Sequence, residues 1–272
     1  MTDLSTATAL VTGAASGIGR LLVLQLLENG ARVVAWDIDQ PGLQALQTDT
    51  KHAASKLHTF RCDLSDGNEI RSVSADVQRT VGHVNLLIHC AGIVSGRLLM
   101  ELTDEQIERT FAVNTLSLYR VTRAFLPDML KNNHGHIVTI ASAGGIAGTA
   151  KLTDYCASKF AAFGFDDALR AELAYLGTDI ATTVVCPFYI NTGMFDGVKT
   201  RFSWLLPILQ PEYVVTKIIV GIRRRKARII LPRFVHTTWL VRLLPVRAGD
   251  RLMKFLGMTE SMENFRGRSG PP

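Results

Sequence analysis

A turn with three glycines between an apolar strand and an amphipathic helix limits most strongly what this chain can fold into. Residues 12–19 read TGAASGIG; they follow an apolar run at 8–11 and open a helix predicted over 17–28. Glycine lets the backbone approach a ligand closely, and the free N–H groups of a helix N-terminus attract an anion. The pattern predicts a pyrophosphate site, although a purely structural strand–turn–helix connection would look the same. The predicted contacts in this turn are Gly13, Ser16, Gly17, Ile18 and Gly19.

Short β-branched runs alternate with longer helical stretches along most of the chain. This order predicts parallel strands joined by right-handed crossover helices. The fold class is therefore α/β, with a single doubly wound parallel seven-stranded sheet, helices on both faces and a ligand crevice at the carboxyl ends of the strands. The predicted strands are 8–11, 32–36, 57–61, 85–89, 136–140, 180–185 and 229–231, and the predicted helices are 17–28, 41–54, 66–81, 102–131, 153–175 and 211–226.

The composition indicates one large core. Of 272 residues, 47% are hydrophobic and 20% charged, which excludes a disordered chain or a fibre. We expect residues 1–272 to form a single domain located in the cytoplasm, because no apolar run is long enough to span a membrane and no secretory signal opens the chain. The four cysteines have no metal-binding spacing and are expected to be reduced core residues. We expect no metal site, including at His134 and His136.

Asp37 ends the second predicted strand, 18 residues after Gly19. A carboxylate at this place accepts hydrogen bonds from the ribose 2′-hydroxyl of NAD and repels the 2′-phosphate of NADP. NAD is therefore the expected cofactor, with NADP as the alternative because Arg20 or Arg61 could reach a 2′-phosphate. A turn or helix cap would also explain Asp37.

Several motifs, in order, resemble those of the short-chain dehydrogenase/reductase family. They are TGAASGIG, Asp63, Ala91-Gly92, Asn114, Ser142 and the run from Tyr155 to Lys159, and they span residues 8 to about 232. HGHIV at 134–138, YCASKF at 155–160 and Cys186-Pro187 are similar to retinol dehydrogenases, 17β-hydroxysteroid dehydrogenases and bacterial secondary-alcohol dehydrogenases. The resemblance implies a Rossmann-type fold. It also implies cofactor contacts at Asp63, Leu64, Cys90, Ala91, Gly92, Tyr155, Lys159, Pro187, Ile190 and Thr192.

Tyr155 and Lys159 are four residues apart on a predicted helix and so share a face. A nearby ammonium and an oxidised nicotinamide favour the phenolate, so Tyr155 is the predicted acid/base for a substrate hydroxyl. Ser142 follows the fifth strand and is predicted to hold the substrate oxygen. The resemblance further implies that Lys159 binds the nicotinamide ribose and that Asn114 holds a water linked to Lys159. Taken singly, Ser142 and Asn114 could be purely structural.

Two positions depart from the family pattern. Cys90 stands where the family often has Asn, so a side-chain hydrogen bond is lost, and Phe188 replaces a usual Gly and would crowd or line the nicotinamide pocket. Residues 193–210 correspond to the family's substrate lid and are rich in apolar side chains, which indicates a bulky hydrophobic substrate. A plain packed helix is the alternative for this segment. The predicted substrate contacts are Ser142, Tyr155, Phe188, Tyr189, Met194, Phe195 and Phe202.

The C-terminal extension, about 233–272, belongs to a strongly basic region. Residues 213–272 hold thirteen Lys and Arg against three Asp and Glu, whereas the whole chain carries +6. The apolar stretch 234–244 could pack on another subunit, cover the pocket or lie on an anionic membrane. We favour packing or an oligomer contact over peripheral membrane contact. We expect no nucleic-acid partner, since no binding motif accompanies the charge.

Together these features predict an NAD(P)-dependent oxidoreductase that interconverts a bulky hydrophobic secondary alcohol and its ketone. The resemblance implies a homo-oligomer, a tetramer or a dimer. The alternative is a catalytically idle protein that binds a dinucleotide or a membrane surface.

Overall fold

The computed structural model describes residues 1–267, apart from the side chain of His52, and the strands in this part of the chain form one parallel sheet. The predicted extension is therefore described as far as Gly267, and residues 268–272 lie outside the description. The strands are β1 Thr8–Thr12, β2 Arg32–Asp37, β3 Leu57–Arg61, β4 Leu86–His89, β5 Gly135–Ile140, β6 Ile180–Pro187 and β7 Arg228–Leu231.

The strand order is β3-β2-β1-β4-β5-β6-β7. β2 and β3 are therefore added on one side of β1 and β4 to β7 on the other, so the order switches between β1 and β4. The two strands are in parallel register there, with Val11 opposite Ile88. In open α/β sheets such a switch leaves a crevice at the carboxyl ends of the two strands. The predicted fold class, a doubly wound seven-stranded sheet with helices on both faces, is confirmed.

Helices cover both faces of the sheet because its strands are apolar on both sides: every residue of β4 and β5 is buried. α1 packs with α7, and α3 packs with α5. Asp39, Asp66 and Thr103 cap three of the helices with their side chains. The helices are α1 Gly17–Glu28, α2 Gln40–Asp49, α3 Gly67–Thr80, α4 Asp104–Phe111, α5 Ser117–Lys131, α6 Thr153–Tyr175, α7 Pro211–Arg223, α8 Thr238–Val241 and α9 Val246–Phe255.

Three predicted helices differ from the observed ones, and the one predicted over 211–226 ends at Arg223. The region predicted as one helix over 102–131 is split into α4 and α5 by a π-helical turn at Ala112–Leu116. The helix predicted over 41–54 ends at Asp49 and continues as a 3₁₀ segment at Lys51–Lys56. A π turn holds one residue more than an α turn and leaves the apolar spacing on either side intact, so the sequence pattern does not reveal it.

The lid and the extension form one layer beside the carboxyl ends of β6 and β7. The lid is built of turns rather than a helix, and Lys199 N donates to Ser261 O at 3.2 Å while Arg266 N donates to Asp196 O at 2.9 Å. Two short helices, α8 and α9, make up much of the extension. Within residues 1–267, no helix has both the length and the apolar character required to cross a bilayer.

Candidate active site

The glycine-rich turn brings the ends of β1 and β4 into direct contact. A Cβ on Gly13, whose φ is +68°, would lie 2.8 Å from the Cα of Ala91, and one on Gly19 would lie 1.9 Å from the carbonyl oxygen of Gly13. The Thr12 hydroxyl accepts hydrogen bonds from Cys90 N at 3.0 Å and Ala91 N at 3.2 Å. Glycine is therefore required here by close packing, and the turn leaves the N-terminus of α1 facing an open crevice.

A cavity of about 1070 Å³ occupies this crevice and extends to the lid and the extension. Its polar end is the glycine turn and the ends of β2 to β4, and its apolar end lies under the lid. All of the predicted cofactor residues line it: Gly13, Ser16, Gly17, Ile18, Gly19, Asp37, Asp63, Leu64, Cys90, Ala91, Gly92, Tyr155, Lys159, Pro187, Ile190 and Thr192. The residue set fits an extended ligand with an anionic centre at the α1 N-terminus.

The Asp37 carboxylate is fixed beside the glycine turn. Its Oδ2 accepts from Ala15 N at 2.8 Å and its Oδ1 accepts from Asp39 N at 3.0 Å. Arg20 is ion-paired with Asp49, and Arg61 with Glu69 at 2.8 Å. Neither arginine is among the residues that line the cavity, so neither of these two guanidinium groups neutralises the charge of Asp37 at the polar end of the crevice.

Tyr155, Lys159 and Ser142 meet at one wall of the cavity. Tyr155 and Lys159 lie one turn apart on α6, both almost fully buried, with the Lys159 Nζ 5.8 Å from the centre of the Tyr155 ring. Lys159 Nζ donates to the Ile140 carbonyl at 2.9 Å, which ties α6 to the end of β5. Ser142, just beyond β5, accepts from Gly144 N at 3.0 Å, and its hydroxyl is close enough to Tyr155 to affect the pKa of the phenol.

Burial acts on the two titratable groups in opposite directions. It raises the pKa of the Tyr155 phenol above its ordinary value, and the Ser142 hydroxyl offsets only part of this rise. It lowers the pKa of the Lys159 ammonium to about 8. The expectation that the neighbouring ammonium makes the phenol more acidic is thus not met by the protein groups alone, because desolvation of the phenolate outweighs the attraction.

Asn114 lies in the π-helical turn and is buried behind the cavity wall that holds Tyr155 and Lys159, so it does not line the cavity itself. Its Oδ1 accepts from Ile93 N at 2.8 Å, and its Nδ2 donates to Ile93 O at 2.9 Å and to Ser158 Oγ at 3.0 Å. A Cβ on Gly92 would touch both Lys159 Nζ, at 3.3 Å, and Asn114 Oδ1, at 3.4 Å. Asn114 therefore fixes the loop after β4 against α6. That Asn114 also holds a water linked to Lys159 stays a prediction.

Cys90 keeps its backbone contact to Thr12 although it lacks the amide of the usual Asn. Burial raises the pKa of its thiol to about 12, so it is a neutral, weakly polar group on the cavity wall. Its neighbour His89 is turned away into the core, where its Nε2 is hydrogen-bonded to Thr122 Oγ1 at 2.9 Å.

An aromatic cluster covers the substrate side of Tyr155. The Phe195 ring meets the Tyr155 ring edge-on at 5.6 Å between centres, and Tyr189 contacts Phe195 at 5.1 Å. Of the residues predicted to contact substrate, Ser142, Tyr155, Phe188, Tyr189, Met194 and Phe195 line the cavity. Phe202 does not; it packs on Phe255 at 5.7 Å on the far side of the lid, because the lid turns away there.

The extension contributes cavity residues that the sequence reasoning did not identify. Val241 of α8 and Met253 of α9 face the cavity, as do Met258 and Phe265 beyond α9. Tyr189 OH is hydrogen-bonded to Ser261 Oγ at 2.9 Å, which joins the extension to the end of β6. The four-residue spacing of Gly249 and Met253 indicates that both lie on one face of α9. The spacing does not indicate which part of the protein that helix face covers.

Comparisons with known proteins agree with this geometry. A family model described as short chain dehydrogenase matches residues 7–201. The chain is 42% identical over 262 residues to epidermal retinol dehydrogenase 2 of Mus musculus, covering 95% of this chain and 85% of that protein. It is 42% identical over 240 residues to estradiol 17-beta-dehydrogenase 11 of Homo sapiens, covering 88% and 79%. A short-chain dehydrogenase/reductase from Burkholderia phymatum, solved in complex with NAD, superposes with a TM-score of 0.81 at 23% identity, covering 100% of this chain and 99% of the other.

Proposed function

The chain belongs to the short-chain dehydrogenase family of oxidoreductases, and on that premise we propose that it transfers a hydride between NAD(H) and a bulky hydrophobic secondary alcohol or ketone. The observation that carries the proposal is one cavity with three parts: the glycine turn and Asp37 at one end, the Ser142–Tyr155–Lys159 wall in the middle, and an apolar aromatic cluster at the other end. A protein that only bound a dinucleotide would not need the second and third parts.

The polar end of the cavity suits a dinucleotide. The α1 N-terminus and the backbone of the glycine turn would hold the pyrophosphate, and Asp37 would accept hydrogen bonds from the adenosine ribose. We favour NAD over NADP because Arg20 and Arg61 are engaged by Asp49 and Glu69 and do not line the cavity. When bound, the nicotinamide ring accepts the hydride in alcohol oxidation and donates it in ketone reduction.

Tyr155 acts as the general acid and general base in this proposal. In ketone reduction its phenol oxygen donates a proton to the nascent alkoxide, and in alcohol oxidation the phenolate takes the proton of the substrate hydroxyl. The Ser142 hydroxyl holds the same substrate oxygen, which fixes its distance from Tyr155. Lys159 places a cation behind the phenol and, as the family resemblance implies, binds the nicotinamide ribose.

The apolar end of the cavity supports a bulky hydrophobic substrate. Phe195, Met258 and Phe265 offer apolar surface around Tyr155, where an unpaired polar substrate group would lose hydration without compensation. Two relatives are named for retinol and for estradiol, both large and hydrophobic alcohols. We propose a substrate of this class for the present chain.

We also propose a cytoplasmic location and a homo-oligomeric assembly. All four cysteines are free, as a reducing compartment allows, and the assembly follows from the family resemblance. Size-exclusion chromatography with light scattering measures the assembly directly.

Replacing Tyr155 by Phe tests the proposal. Tyr155→Phe is expected to lower kcat at least a thousandfold while NADH binding, measured by fluorescence titration, remains, because only the hydroxyl that carries the proton is lost. Tyr175→Phe is the matched control: it makes the same change on the same helix at a side chain that is 90% exposed. Both variants are assayed on small and bulky ketones with NADH and with NADPH.

Near-normal turnover by Tyr155→Phe would remove Tyr155 from the mechanism. If the unmodified protein binds NADH but reduces none of the ketones, the alternative of a catalytically idle dinucleotide-binding protein is favoured instead. A preference for NADPH would contradict the role given to Asp37.

A further inference from the structure

α9 has an inner face that closes the cavity and an outer face that is basic. Met253 and Leu256 line the cavity, and the buried Gly249 packs against Val241 of α8, so these positions define the inner face. At 100° per residue the opposite side of the helix holds Arg247, Arg251 and Lys254, and all three are exposed. None of the three forms an ion pair with another of residues 1–267.

The basic run 223–226 at the end of α7 is different, because two of its four cations are bound to the body of the protein. Arg225 pairs with Asp179 at 2.7 Å, and Arg223 is hydrogen-bonded to Asn29. Arg247, Arg251 and Lys254 differ from the other exposed cations of this region in lying together on one helix face, with the exposed Asp250 at its edge.

Large apolar side chains surround these cations. Leu240 of α8, Leu243 in the turn to α9 and Val246 at the start of α9 are 66%, 82% and 79% exposed. On the lid Trp204 is 81% exposed, and the adjoining lid residues lie on the end of α9, with Arg201 Nη1 donating to Phe255 O at 3.2 Å. We call Trp204, Leu240, Leu243, Val246, Arg247, Arg251 and Lys254 together the basic-apolar surface.

We propose that the basic-apolar surface binds the surface of an anionic lipid bilayer. Exposed leucine, valine and tryptophan gain free energy when they enter the boundary between headgroups and acyl chains, and the α9 cations gain it from anionic headgroups. A second copy of this chain fits less well, because a symmetric contact would bring the α9 cations of both copies together. The charge of the α9 cations therefore favours binding to an anionic membrane over binding to a second copy.

Binding in this orientation places the apolar end of the cavity beside the bilayer. Arg247, Arg251 and Lys254 form the outer side of the same helix whose inner side, at Met253 and Leu256, lines the cavity. Hydrophobic molecules dissolved in the membrane would then be concentrated next to that end. This consequence goes beyond the proposed activity, and membrane binding itself is measured without substrate or cofactor.

Co-sedimentation with vesicles tests the proposal. The full chain is mixed with vesicles of phosphatidylcholine alone or with phosphatidylserine, at low and at high salt. We expect binding to the anionic vesicles that weakens with salt, and a blue shift of Trp204 fluorescence that Trp204→Phe removes. Arg247→Gln with Arg251→Gln is expected to lower partitioning about tenfold or more, and Leu243→Ser with Val246→Ser to lower it at any salt concentration.

The control is Arg123→Gln with Lys131→Gln, which removes the same charge from exposed positions of α5. It is expected to bind vesicles as the unmodified chain does. An equal loss in this control would mean general electrostatic attraction and would overturn the proposal, as would an absence of binding to anionic vesicles. If vesicles are not bound, and self-association disappears in Leu243→Ser with Val246→Ser, the surface binds a second copy and the proposal is wrong.

Discussion

Tyr155 and Lys159 are buried together, and burial favours the neutral form of both. The phenol has a raised pKa and the ammonium a pKa lowered to about 8. At neutral pH the protein alone therefore holds Tyr155 as a proton donor, the form that ketone reduction requires. Alcohol oxidation requires the phenolate, so its rate is expected to rise with pH while that of reduction falls.

Lys159→Met is expected to move the rising limb of the pH profile for alcohol oxidation to higher pH, by about one unit or more. The variant removes the cation 5.8 Å from the phenol ring and leaves desolvation in place, so the phenolate forms less readily. The measurement is kcat/KM from about pH 6 to about pH 10 at saturating cofactor, with Lys159→Arg as the variant that retains the charge. An unshifted limb in Lys159→Met would show that Lys159 acts only through cofactor binding.

At the scale of the elements, the sequence predicted what depends on local pattern. The bounds of α1 and α6 follow from apolar spacing, and Thr103 and Gln106 form a capping box, a local sequence pattern, at the start of α4. The π-helical turn was not predictable in this way. It is held by a tertiary contact, since the side chain of Asn114 binds the backbone of Ile93 in the loop after β4.

Asn114→Ala is expected to destabilise the protein by about 2 kcal/mol or more and to lower kcat. The change removes the partner of the half-buried N–H and C=O groups of Ile93 and the buried hydrogen bond to Ser158 Oγ, and each such loss costs about 1 kcal/mol. Urea unfolding gives the free energy and steady-state assays give kcat. Ser117→Ala, which removes one hydrogen bond from the same stretch of chain, is the control, and an equal effect on both quantities would contradict a special role for Asn114.

At the scale of the whole molecule, the sequence predicted the sheet and the polar end of the cavity but only part of its apolar end. The former depends on motifs at strand ends, which parallel topology brings to one edge. Met258 and Phe265 reach the cavity only because the extension folds back onto the lid and pairs with it through backbone hydrogen bonds. A contact between distant segments produces no periodic pattern in the sequence. For the same reason the sequence did not show that Phe202 lies on the side of the lid away from the cavity.

Buried titratable groups couple the stability of the whole molecule to pH. Burial lowers the pKa of His89 and of His136 to about 3, so the unfolded chain binds more protons below about pH 6.5, and stability falls as the pH falls. Asp166 acts in the opposite sense: burial raises its pKa to about 7, partly offset by Arg170, so it contributes more as the pH falls from 7. Between about pH 6.5 and pH 5 the two histidines together lower the free energy of unfolding by about 3 kcal/mol and Asp166 raises it by about 2 kcal/mol, which leaves a net loss of about 1 kcal/mol.

His136→Gln is therefore expected to make the free energy of unfolding clearly less dependent on pH between about pH 5 and pH 6.5, because one of the histidines that oppose Asp166 is removed. Glutamine keeps groups that can bond Thr2 and Thr183, the partners of His136 at 3.0 and 2.8 Å. The measurement is urea unfolding at both pH values, and the difference between them is the result, whatever the stability at either. His134→Gln, two residues away and exposed, is expected to keep the full loss. Equal pH dependence in His136→Gln and the unmodified chain would show that His136 binds its proton in the folded state as easily as in the unfolded one.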